Sequence, residues 1–228
     1  MMTAVTESLR TAGQLCANAA RFLRATWRVW AVSVMVLGAL MVLLVPVDTL
    51  LLSEIQQPRE HWAQACAGAV SKWGDFYRLN IALLIGGLAL GYGRKSPAVR
   101  RGTLAVFLAA LAAGIAVNMF RPTIGRPRPS AELPDGVYGP HMDHDYHGFP
   151  SGHASTAFAT GVTVTILCPP AAIPALAGST AIAWSRLQLN RHHPTDTIAG
   201  ALLGTVLGTA FGVAAKRPGR RDFEPFTW

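Results

Sequence analysis

Two stretches of the chain hold residue types suited to phosphoryl chemistry. The first opens with Arg121, Arg126 and Arg128, set among Pro122, Pro127 and Pro129, and resumes at Pro150, Ser151, Gly152 and His153. The second runs from Ser185 and Arg186 through Arg191, His192, His193 and Pro194 to Asp196. Arginine carries a permanent charge and a fixed fork of donors, which suits a phosphate held between several groups. Ser151 and Gly152 stand where an apolar run begins, so they predict a helix N-terminus whose free backbone N–H groups and positive dipole end face outward. Gly152 lets an anion approach the backbone, and Ser151 adds a hydroxyl donor. His192 and Asp196 are four residues apart, with Pro194 placed to open a helix. That spacing stacks the two side chains on one face, provided the helical turn reaches back to His192. A carboxylate on one imidazole nitrogen would leave the other as a basic lone pair.

A further cluster, His141, Asp143, His144, Asp145 and His147, lies just before Pro150. It could hold a divalent ion, but so many ligand types in one loop define no geometry. We read it as a polar lip that steers an anionic headgroup, and expect no metal.

The elements that must position these residues are lipid-embedded. Of 228 residues, 51% are hydrophobic and 14% charged, with a mean hydropathy of +0.32. That is too little charge to cover a soluble surface and too much apolar content for disorder. Six apolar runs, at about 30–45, 79–92, 103–120, 152–168, 171–184 and 197–215, contain none of the Lys, Arg, Asp or Glu residues. A membrane-crossing helix needs about 20 residues, with tolerance to about 17, so the second and fifth runs borrow flanking residues or thin the bilayer. With a cytoplasmic N-terminus, 12 of the 20 basic residues fall inside and 8 outside, which is the expected bias. Both termini are then cytoplasmic, and both chemistry-bearing loops lie on the opposite side of the membrane. The basic balance reads as topology and anionic-lipid contact, not nucleic-acid binding.

The expected fold is an all-α integral membrane protein with six transmembrane helices and an N-terminal amphipathic interfacial helix. Residues 1–29 form the cytoplasmic amphipathic segment, with Leu9, Leu15, Ala19, Phe22 and Trp27 opposite Arg10, Arg21, Arg24 and Arg28. Residues 30–215 form the six-span domain, and 216–228 a basic cytoplasmic tail. The leading segment lacks the apolar core of a cleavable signal, so the first run is expected to be a retained anchor. In the first outer loop, Trp62, Cys66, Val70 and Trp73 form a stripe suited to the headgroup level. Cys16, Cys66 and Cys168 lie in three different layers and match no metal spacing. Gly200, Gly204, Gly208 and Gly212 make a ridge for close helix packing.

The three blocks resemble the signature of the type 2 phosphatidic acid phosphatase family: K-x-x-x-x-x-x-R-P, then P-S-G-H, then S-R-x-x-x-x-x-H-x-x-x-D. Arg121 to Pro129 match the first, with Arg121 in place of lysine. Pro150 to His153 match the second and Ser185 to Asp196 the third. The resemblance implies a phosphatase that removes a terminal phosphate from a membrane lipid at the outer face, without cofactor or metal. By this resemblance His192 forms a phosphohistidine and Asp196 orients its ring. His153 protonates the departing oxygen and then activates water. Arg121, Arg128, Arg186, Ser151 and the Gly152 N–H cradle the phosphoryl oxygens. Arg126 and Arg191 occupy variable positions of the pattern and are assigned to supporting or headgroup contacts, and His193 to helix entry. Undecaprenyl diphosphate, phosphatidylglycerol phosphate, phosphatidic acid and lipid A phosphate all satisfy the chemistry, and the outward site suits a bacterial inner membrane. A vanadium-dependent haloperoxidase, similar at the motifs but soluble, and a non-enzymatic protein that binds or transports anionic lipid are the alternatives.

Overall fold

The computed structural model describes residues 2–57 and 61–217, and these are helical and irregular, with no strand. Nine α-helices follow one another among the described residues: α1 (Met2–Ala25), α2 (Trp27–Leu44), α3 (Asp48–Ile55), α4 (His61–Trp73), α5 (Phe76–Gly93), α6 (Pro97–Ile124), α7 (Gly152–Leu167), α8 (Ala172–Gln188) and α9 (Pro194–Lys216). The six apolar runs fall in α2, α5, α6, α7, α8 and α9. Of these, α5, α6 and α9 are long and apolar enough to cross a membrane. The flanks of α2 present Val29, Val32, Val34 and Met35 to the outside, a surface that suits hydrocarbon better than water. The basic tail expected at 216–228 lies, beyond Arg217, outside the described residues.

Local chemistry starts and stops the helices around the site. Asp75 caps α5, its Oδ1 accepting from the Tyr77 N–H at 3.0 Å. Ser96 and Pro97 open α6, and Gly125 closes it in the left-handed region at φ 61. A Cβ at Gly125 would collide with the Gly139 carbonyl, so the turn that ends α6 requires glycine there. At the start of α9, His193 is the N-cap and Pro194 the first helical residue, as the helix-entry reading expects.

At the centre, α7 packs against α6, α8 and α9. The glycine ridge of α9 makes its closest approach possible: Cβ atoms at Gly200, Gly204 and Gly208 would run into the backbone carbonyls of Ser151, Ser155 and Ala159. Thr163 then reaches across to donate to the Gly208 carbonyl at 3.1 Å. The apolar stripe of α1 does not lie wholly in the interface plane. Leu15, Ala19 and Phe22 are buried with Ala109 and Ala113 of α6 and with Phe211 and Ala214 of α9. Leu9 and Trp27 remain exposed.

The segment between α2 and α5 is more than a connector. Its α3 and α4 clasp the α8–α9 turn through Gln56 donating to the Leu187 carbonyl at 2.9 Å and Gln64 donating to the Gln188 carbonyl at 3.0 Å. Gln188 in return donates to the Ile55 carbonyl at 2.6 Å. α4 buries Ala63, Ala67 and Ser71 and keeps Trp62 and Trp73 outward, where tryptophan suits the headgroup level.

Candidate active site

The N-termini of α7 and α9 lie side by side, joined by the Ser151 N–H donating to the Asp196 carbonyl at 2.9 Å. Two positive dipole ends therefore face the same space. His192 sits immediately before α9, 1% exposed, and its Nδ1 lies 2.7 Å from the Gly148 carbonyl. A carbonyl only accepts, so Nδ1 carries the hydrogen and Nε2 keeps its lone pair. Burial, followed by the charges of Arg121, Arg186 and Arg128, holds the His192 pKa well below the ordinary histidine range, although the Gly148 carbonyl acts the other way. The ring is neutral at physiological pH.

Because α9 begins at Pro194, the helical turn does not reach His192, and the one-face stacking expected from the four-residue spacing is not formed. Asp196 Oδ2 is 3.7 Å from His192 Nδ1, beyond hydrogen-bond length. Its carboxylate is held instead by the His193 backbone N–H at 2.7 Å and by Arg126 Nη1 at 2.8 Å. The ring is thus oriented by a backbone carbonyl from the loop before Pro150, while Asp196 fixes the start of α9 around it.

Arg121 lies in the last turn of α6. Its Nε donates to the Pro150 carbonyl at 3.0 Å, and its guanidinium lies so close to Gly152 that a Cβ there would come within 3.0 Å of it, inside van der Waals contact. Arg186, in the last turn of α8, donates from Nη1 to Ser71 Oγ. Arg128 is partly buried, and its pKa is lowered by burial and then by Arg191, with Asp145 and Asp196 opposing. Three buried polar atoms here have no hydrogen-bond partner among the described residues: Arg128 Nε, Arg186 Nε and Ser151 Oγ. Buried donors without partners are costly, and these belong to three of the residues expected to cradle a phosphoryl group.

His153, in the first turn of α7, shares a cavity of about 410 Å³ with Arg121, Gly152, Thr156 of α7 and Asn118 of α6. The cavity continues between α5 and α6 past Phe76, Tyr77 and Ile115.

Arg126 has a different place. It is 4% exposed and donates to Asp196, Asp135, Asp48 and Thr195 at 2.7–3.0 Å. Burial lowers its pKa, but the hydrogen bonds and charges of Asp135, Asp196 and Asp48 outweigh that and raise it. Arg126 likewise lowers the pKa of Asp135 against the effect of burial. Asp48, fully buried, also accepts from the Thr195 backbone N–H at 3.0 Å and from its hydroxyl. Arg191 is exposed. Sequence reasoning did not find Asp48, Asp135, Thr195, Ser71 or the Gly148 carbonyl. Asp48 lies 147 residues from Thr195, and no local pattern marks the pair.

In the lip, the His141 ring stacks on Tyr146, and His147 Nε2 lies 3.1 Å from the His141 carbonyl. Among the described residues, no group of three or more His, Cys, Asp or Glu side chains is arranged to hold a metal ion.

Residues 102–218, more than half of the chain, match the model of the PAP2 superfamily. The chain belongs to this superfamily. It is an integral membrane protein by that membership and by its apolar helices. Lipid A 1-phosphatases of Rhizobium johnstonii and Rhizobium etli are each 28% identical over 102 residues, 43% of this chain. The alignments span 42% and 44% of those relatives, so the chain covers less than half the length of the curated relatives it matches. Among solved structures, a transmembrane PAP2 type phosphatidylglycerolphosphate phosphatase from Bacillus subtilis superposes with a TM-score of 0.65 at 18% identity, over 85% of this chain and 97% of that one. LpxE of Aquifex aeolicus gives 0.57 at 21% identity, over 75% and 96%. These likenesses establish the fold of the PAP2 member.

Proposed function

We propose that this PAP2 protein is a lipid phosphate phosphohydrolase that removes a terminal phosphate from a membrane lipid through a phosphohistidine. The observation that carries this reading is the set of unpartnered buried donors, Arg128 Nε, Arg186 Nε and Ser151 Oγ, in a site with a neutral histidine whose Nε2 lone pair is available. In the first half-reaction, Nε2 of His192 forms a bond to phosphorus as the ester bond to the lipid breaks, and His153 gives its proton to the departing oxygen. In the second, His153 takes a proton from water, whose oxygen attacks phosphorus. The N–P bond breaks, and inorganic phosphate leaves with His192 neutral again. Arg121, Arg128, Arg186, Ser151 and the Gly152 N–H stabilise the charge on the equatorial oxygens. Three guanidiniums supply the positive charge that a divalent ion provides in other phosphoryl-transfer sites.

The topology that goes with this reading has six spans, both termini cytoplasmic and the site at the outer face of a bacterial inner membrane, so that a lipid presents its phosphate without leaving the bilayer. Lipid A phosphate and phosphatidylglycerol phosphate are the substrates to test first, given what the relatives and structural neighbours are named for. Phosphatidic acid and undecaprenyl diphosphate complete the panel. The deciding experiment measures phosphate release from these four lipids by purified protein in micelles, with and without chelator. The expected result is chelator-resistant release from at least one lipid, lost in His192→Ala. Tight lipid binding without release would leave a binding protein in its place.

A further inference from the structure

The proposed reaction needs a proton on His153 when the lipid oxygen departs, and the surroundings of that ring work against it. Burial, then Arg186 of α8, His192 before α9 and Arg121 of α6, push the His153 pKa down to about 3, while Asp75 acts the other way. The carboxylate that faces it is Asp75, whose Oδ2 lies 3.8 Å from His153 Nε2. Both side chains are part-exposed and line the 410 Å³ cavity, where Asp75 is the single acid among the lining residues. Asp196 is unavailable for this task because its oxygens are committed to Arg126 and the His193 N–H.

Asp75 is also held in place. Its other oxygen caps α5 through the Tyr77 N–H at 3.0 Å, which aims Oδ2 across the cavity at the first turn of α7. The 3.8 Å gap is within ion-pair range.

We propose that Asp75 is a positioning residue for the phosphoryl transfer, the counter-charge that favours a proton on His153 against the surrounding guanidiniums and aims the ring at the lipid oxygen. This inference rests on the phosphohydrolase reading above. The carboxylate favours the imidazolium by opposite charge and is itself neither protonated nor consumed. It belongs to none of the three signature blocks and comes from the other half of the chain, so motif matching does not reach it.

Capping and proton retention can be separated, because asparagine caps a helix about as well as aspartate but carries no charge. Asp75→Asn, compared with wild type on the preferred lipid, is expected to lower kcat about tenfold with KM nearly unchanged. The alkaline limb of its kcat–pH profile should move to lower pH, since the proton on His153 is held less tightly. On an aryl phosphate, whose leaving group departs without protonation, the loss should shrink to about twofold or less. Once His153→Ala has been introduced, adding Asp75→Asn should cost nothing further, as for two residues acting as one unit. Thermal unfolding in detergent checks that the Asp75→Asn variant is folded. Equal losses on both leaving groups, or an unmoved alkaline limb, would overturn the role of Asp75. A wild type that releases phosphate from no lipid would instead overturn the function on which it rests.

Discussion

Arg126 and Arg128 are two residues apart and meet opposite surroundings. Arg126 points behind the helix start, where four oxygen-bearing side chains accept its hydrogen bonds and hold it charged. Arg128 faces the space where His192, Arg121 and Arg186 also gather, and its Nε has no partner among the described residues. One guanidinium is saturated by the fold and the other is left short of acceptors. The difference separates an arginine whose donors the fold satisfies from one whose Nε the described residues leave free, the one the proposed function assigns to the phosphate, and residue type and spacing alone do not distinguish them.

This contrast can be broken most sharply at its centre. His192→Ala should abolish phosphate release, by at least about a thousandfold, because it removes the proposed nucleophile, while circular dichroism in detergent shows the helices retained. Arg126→Met should act in the reverse sense. It leaves Asp48 and Asp196 buried without their cation, and unfolding in detergent should show a loss of about 3–5 kcal/mol. A stable Arg126→Met protein would mean that the network is not what holds the start of α9. Arg128→Ala and Arg186→Ala should each lower kcat/KM by about a hundredfold; Arg128→Ala should change stability little, whereas Arg186→Ala also loses its bond to Ser71 and should cost about 1 kcal/mol. Ser151→Ala should cost about tenfold in rate and leave the melting temperature unmoved, because its hydroxyl lacks a partner among the described residues. If the Arg128 or Ser151 variant melted early instead, its donor would be structural after all.

The smallest expected effect concerns pH. His192 binds its proton less readily folded than unfolded, so its neutral, reactive form persists below the ordinary histidine value of about 6.5. The acid limb of kcat/KM should therefore lie below pH 6.5. The unfolded chain takes up this proton first, so acidification through that range should also destabilise the fold, and His192→Asn should blunt that loss.

Much of the site was legible in the chain because its signals are local. Pro194 after His193 announced the start of α9, and Ser151 with Gly152 announced that of α7, since caps and helix-opening prolines act within one turn. The ridge from Gly200 to Gly212 announced close packing, and α7 supplies the partner. The four-residue step from His192 to Asp196 misled because its meaning depends on whether helix includes both ends. The helix begins at Pro194, too late to include His192, and Gly148 takes the place in which the carboxylate was expected.

What the sequence determined by itself was the lipid-seeking composition, the helical elements and the inventory of cationic and imidazole groups, since hydropathy, capping and charge are properties of short segments. The tertiary structure alone decided which arginine is satisfied and which is not. It also decided that Gly148 fixes the tautomer of His192, and that Asp48 and Asp75, from the opposite half of the chain, stand behind and beside the site. Those outcomes depend on which polar atoms meet when α7 and α9 close on each other and α3 and α4 clasp the α8–α9 turn. No local pattern encodes a hydrogen bond between residues as distant in the chain as Asp48 and Thr195.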